Sequence, residues 1–156
     1  MLLSGVNHVA ILTKDLPRFH AFYREVFDAT VSAEIPEREG VTLSFVDIGP
    51  TAKLNVFQVA DNHEAERQTP MFGRGRIDHV GLHADSLEAF DLIRDRLIAR
   101  GATDGFVTDF GEILSLFFRD PDGLEGEVCV ENPHAEPGVV NPPGTPASGY
   151  ARISDP

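Results

Sequence analysis

Apolar and polar positions along this chain fall into two runs that repeat one another. Asn7-His8-Val9-Ala10-Ile11 aligns with Asp78-His79-Val80-Gly81-Leu82, and the match continues through Leu16 with Leu87, Phe19 with Phe90 and Val26 with Leu97. Residues 5–12 are rich in β-branched and aliphatic side chains and read as a strand. Leu16, Phe19, Phe22, Tyr23, Val26 and Phe27 have helical spacing, with Asp15 as the cap and Pro17 in the first turn. Extended runs follow near 29–35, 41–48 and 53–59, separated by Glu39-Gly40 and Gly49-Pro50-Thr51. The second copy repeats the order. A strand is expected over 76–83, a helix over about 86–100 from Ser86 to Gly101, and strands near 104–109, 112–119 and 125–131. Asp120-Pro121-Asp122-Gly123 marks the last hairpin.

Each copy is therefore a βαβββ module, and the fold class is α+β, two tandem modules forming a curved mixed sheet. The first module spans about 5–60 and the second about 76–131, with a polar linker at about 61–75. A unit this small buries its sheet poorly alone, so residues 1–132 are expected to form a single domain with a shared core. From Pro133 to Pro156 the chain holds six prolines and three glycines in 24 residues, which reads as an irregular tail with Tyr150 and Ile153 as its anchors.

Composition narrows the partners. A net charge of -12 argues against nucleic acid and against anionic membrane surfaces, leaving a small molecule as the expected ligand. No apolar run is long enough to span a bilayer, and no secretory leader is evident at the N-terminus. A single cysteine, Cys129, fits a reducing compartment, so a cytoplasmic location is expected.

Side chains alternate faces along a strand, which places His8, Ala10 and Leu12 together and His79, Gly81 and His83 together. The apolar alternates, Val9/Ile11 and Val80/Leu82, must face the helices. By the same parity Glu127 and Cys129 share a face opposite Val128 and Val130. Two imidazoles and one carboxylate on helix-free faces, His8, His79 and Glu127, make a candidate divalent-metal site of the two-histidine, one-carboxylate kind, compatible with Fe(II), Mn, Zn or Ni. His20 and His134 are expected at the surface.

In these segments, together with Phe22-Tyr23-Arg24-Glu25-Val26-Phe27 and Asp120-Pro121-Asp122-Gly123, the chain resembles the vicinal oxygen chelate superfamily of glyoxalase, bleomycin-resistance and extradiol-dioxygenase proteins. The resemblance implies a metal at His8, His79 and Glu127, with Asn55 where a glyoxalase-like member carries a fourth, carboxylate ligand. It implies a pocket in which Phe117 stands where an extradiol enzyme places a tyrosine, with His63 a loose counterpart of that enzyme's catalytic histidine. His83 and Cys129 are further pocket candidates. The activity implied is that of a metal-dependent enzyme, of dioxygenase, lyase or transferase type, acting on a small substrate chelated through vicinal oxygens. A metal-free protein that sequesters an antibiotic or aromatic molecule is the alternative. Relatives of this kind are often homodimers.

Overall fold

The expected order of elements is present twice. In the computed structural model of the chain the described residues are Leu2, 5–63, Thr69, Gly73 and 77–153. Most of the expected linker, including Glu64 and Glu66, lies outside them. The chain divides into two units: Met1–Gln68 with Pro121–Gly123, and Thr69–Asp120 with Leu124–Pro156.

The first unit holds β1 (His8–Thr13), α1 (Leu16–Phe27), β2 (Thr30–Arg38), β3 (Val41–Asp47) and β4 (Lys53–Val59). Its four-stranded sheet has the order β1-β4-β3-β2, with β1 parallel to β4 and the remaining pairs antiparallel. The second unit holds β5 (Val80–His83), α2 (Leu87–Ala99), β6 (Val107–Asp109), β7 (Ile113–Arg119) and β8 (Glu125–Glu131), in the equivalent order β5-β8-β7-β6. The fold is thus α+β, two tandem βαβββ modules, each built on a mixed sheet.

Both helices begin where their caps dictate. The Arg18 amide donates to Asp15 Oδ1 at 3.0 Å, and the Ala89 amide donates to Ser86 Oγ at 3.1 Å. Phe19 and Val26 of α1, and Phe90 and Leu97 of α2, are fully buried. At roughly 1.5–3 kcal/mol per buried side chain, these stripes outweigh local propensity in holding the helices. His20 joins the α1 stripe instead of the surface: it follows Leu16 by one turn and donates or accepts at 2.8 Å with Ser44 Oγ of β3. The surface expectation is corrected by that spacing. His134 is exposed as expected.

Four strand limits differ from the sequence pattern, the first being β1, which starts at His8 and not at residue 5. β5 starts at Val80 and not at residue 76, so His79 stands one residue ahead of its strand. β6 is cut to three residues because Thr103 and Asp104 close a turn over Gly105, which has φ +71, with Gly105 N bonded to Thr103 Oγ1 and Phe106 N to Asp104 Oδ1. β2 runs on to Arg38 through Pro36, which an edge strand tolerates, with a register shift there.

The tail is irregular but tied along the free side of β6. Asp109 N donates to Thr145 O at 2.9 Å and Ala147 N to Val107 O at 3.0 Å, with an isolated bridge between Thr108 and Pro146. Tyr150 donates to Asp91 Oδ1 of α2 at 2.7 Å, and Ala147 is buried. Gly111 (φ +100) lies so close under the tail that a Cβ there would sit 2.1 Å from Val139 O.

Candidate metal centre

In the second unit, register brings the chemistry together. Gly81 of β5 is opposite Glu127 of β8, which is opposite Phe117 of β7; one step along the same face, His83, Cys129 and Ser115 make a second row. Val128 and Val130 are buried on the other face, and α2 packs against β8. Phe117, half-buried, sets its ring edge-on to His79, with centroids 5.5 Å apart.

His79 Nε2 lies 3.2 Å from Glu127 Oε2, and both groups are held from behind. His79 Nδ1 is 2.8 Å from Asp78 Oδ2, and the Ser115 hydroxyl donates to Glu127 Oε1. In the tautomer with its proton on Nδ1, facing Asp78, the ring would turn an Nε2 lone pair toward the Glu127 carboxylate. Two acceptors at that separation need a positive charge between them, a proton or a cation. A neutral imidazole backed by a carboxylate is also the usual arrangement of a metal-ligating histidine. The donor set therefore fits a divalent ion. Gly81 leaves the open side of Glu127 clear: a Cβ there would meet Oε2 at 3.5 Å, an ordinary contact.

Cys129 adds no anion. Burial first, and then the charge of Glu127, push its thiol up to about 12, so it stays neutral beside the carboxylate.

The first unit presents the matching face. His8 is exposed at the first position of β1, and its Nδ1 is 2.9 Å from Asn7 Oδ1, the same relation that His79 has to Asp78. Asn55 is half-buried on β4, opposite Ala10 and Phe45. A cleft of about 620 Å³ opens between Asn7 and the Gly49–Ala52 turn, with Asp47 and Lys53 in its wall; His8 is not part of its lining. His63 is exposed beyond β4, and His83 is exposed at the end of β5.

Of the expected ligands, His79 and Glu127 come together in the second unit, while His8 belongs to the first. Within either unit, among the described residues, no group of three or more His, Cys, Asp or Glu side chains is assembled that holds a metal ion. Asp78 and Ser115 escaped the sequence reading. Asp78 was signalled by its match to Asn7; Ser115, a lone hydroxyl in the run Leu114-Ser115-Leu116, carried no signal.

A two-module α+β chain with a histidine–carboxylate pair on its helix-free face defines a class, and comparison with known proteins gives it a family. The sequence model of the Glyoxalase/Bleomycin resistance protein/Dioxygenase superfamily matches residues 5–128, and the chain belongs to that superfamily. It is 33% identical over 94 residues to the mitochondrial methylmalonyl-CoA epimerase of Homo sapiens, a match covering 56% of this chain and 50% of that protein. The match thus spans about half the length of this curated relative. Among solved structures, a glyoxylase/bleomycin resistance protein/dioxygenase domain from Frankia sp. EAN1pec superposes with a TM-score of 0.68 at 21% identity, covering 85% of this chain and 95% of the other. A variant of the fosfomycin resistance protein FosX from Listeria monocytogenes, in complex with Mn(II) and 1S,2S-dihydroxypropylphosphonic acid, gives 0.61 at 19% identity, covering 81% and 92%. These two likenesses establish the fold.

Proposed function

We propose that this chain is a divalent-metal-dependent enzyme that binds a small substrate through two neighbouring oxygens and moves a proton at the carbon beside them. The observation that carries the reading is the 3.2 Å approach of His79 Nε2 to Glu127 Oε2, each group braced from behind by Asp78 or Ser115. His8 is the third ligand in this reading, because its position repeats that of His79 and its Nδ1 is engaged in the same way. When bound, the ion supplies Lewis acidity toward the substrate oxygens, which lowers the cost of charge building up on them.

The chain's own groups prepare that task. Asp78 fixes the His79 ring and its tautomer, Ser115 fixes the Glu127 carboxylate, and Phe117 walls the histidine from one side. Gly81 keeps the approach to Glu127 free of side-chain bulk. Among the reaction types of the superfamily, the likeness to methylmalonyl-CoA epimerase favours proton transfer over oxygen insertion. A cytoplasmic, homodimeric protein with a small-molecule substrate and no nucleic-acid partner is the setting we propose for it.

The test has two parts. Chelator-treated protein should take up Mn(II), Co(II) or Zn(II), and His79→Ala and Glu127→Gln should each lose at least about tenfold in metal affinity. Loaded protein in D2O should then wash out the C2 proton of methylmalonyl-CoA, followed by proton NMR. Uptake without any exchange would leave a metal protein of another reaction type; equal metal uptake by parent and variants would end the metal reading altogether. Tight binding of a drug-sized aromatic by metal-free protein would put sequestration in its place.

A further inference from the structure

We infer that Ser115 is a positioning residue for the Glu127 carboxylate, holding Oε1 so that Oε2 is presented to His79 and to a divalent cation; the inference rests on the metal reading proposed above.

The first ground is burial. Ser115 is fully buried, and a buried hydroxyl without a partner is costly. Its proton goes to Glu127 Oε1 across the face that β7 and β8 share. A glutamate has three side-chain torsions, and unanchored it presents either oxygen, or neither, to a ligand. Ser115 engages Oε1, the neutral Cys129 thiol lies within hydrogen-bonding reach of the same carboxylate, and Oε2 faces the imidazole at 3.2 Å.

The second ground is an internal control. The two sheets match position for position: Phe45 opposite Asn55 corresponds to Phe117 opposite Glu127, and Leu43 opposite Phe57 corresponds to Ser115 opposite Cys129. The aromatic residue is kept between the copies. Where Asn55 of the first copy becomes the carboxylate Glu127 in the second, Leu43 becomes Ser115. The hydroxyl thus appears in the copy that has a carboxylate to orient, and leucine fills the place in the copy that does not. Ser115 also meets the Cys129 thiol opposite it, where Leu43 meets Phe57, so metal affinity at unchanged stability is the readout that separates the two roles.

The deciding measurement is Mn(II) binding to chelator-treated full-length protein, read from the electron paramagnetic resonance signal of free Mn(II), beside thermal unfolding of the metal-free forms. Ser115→Ala is expected to weaken binding about tenfold or more while the metal-free melting temperature stays near that of the parent. Ser115→Thr, which restores the hydroxyl, should bind within about threefold of the parent, and Ser115→Cys, with its weak donor, should resemble Ser115→Ala. Parent-like binding by Ser115→Ala or Ser115→Cys overturns the inference and leaves the metal reading standing. Failure of the parent to take up Mn(II), Co(II) or Zn(II) removes both.

Discussion

Asp47 and Arg119 occupy matching places in the two copies, yet their charges are opposite. Asp47 is paired across the strands with Lys53, whose Nζ is 2.9 Å away, while Arg119 is paired with Glu125 at 2.8 Å. The repeat has kept an ion pair at this cross-strand position while exchanging which strand carries the cation. What the sheet requires there is opposite sign, and either polarity satisfies it.

Single charge reversal is therefore expected to do more harm than exchange. Arg119→Glu sets two carboxylates directly opposite and should lower stability by about 0.2–1 kcal/mol. Adding Glu125→Lys, which recreates the polarity of the first copy, should return the melting temperature to near that of the parent. A double variant no more stable than the single one would refute this reading of the pair.

Two glycines on one face and the other of the second sheet should respond in contrasting ways. At Gly126 a Cβ would sit 2.5 Å from the Phe118 ring, and Phe118 is itself buried, so Gly126→Ala should cost about 1–3 kcal/mol in urea unfolding. Gly81→Ala meets only the 3.5 Å contact with Glu127 and should stay within about 0.5 kcal/mol of the parent. Equal losses at both sites would contradict the packing described.

His20 gives the first unit a pH dependence. Burial of this α1 side chain against β3 pulls its imidazole below the ordinary value of 6.5, with Glu34 opposing the effect and Arg24 adding to it. The folded protein thus binds the proton less readily than the unfolded chain. The contribution is complete above pH 6.5 and is lost as pH falls through the lowered folded value. Urea unfolding of the parent against His20→Gln between pH 5 and 8 should show the parent losing ground to the variant only on the acid side. A gap between them that does not change with pH would disprove the assignment.

Tyr150 tests the tail. Burial, followed by the hydrogen bond to Asp91, raises its phenol above the ordinary value, although Arg94 works the other way. In an absorbance titration at alkaline pH the Tyr150→Phe difference should therefore show this phenol ionising later than an exposed tyrosine. Because the bond is near the surface, its removal should cost about 1 kcal/mol or less. A phenol ionising at its ordinary pH would mean that the tail does not hold Tyr150 against α2 in solution.

Much of this architecture was legible in the residues alone, for reasons that differ by element. Asp15 and Ser86 announced both helices because capping is a local bond, complete within a few residues. The faces of His8, His79 and Glu127 followed from strand alternation, which also needs no partner strand. Ser115 and the Arg119–Glu125 pair required register, and register is a property of two strands that neither states by itself. His20 was misplaced because its polarity outweighed its position on the apolar stripe. The tail's proline content signalled irregular backbone correctly, but composition says nothing about which edge an irregular segment will cover.

That covering has a practical side. A fragment trimmed at residue 132 to the family-matched core would strip the cap from β6, leaving the Val107 carbonyl and the Asp109 amide open to strand pairing by a neighbouring molecule. Such a fragment is expected to self-associate through this newly bared border, which the proline-rich segment covers in the intact chain.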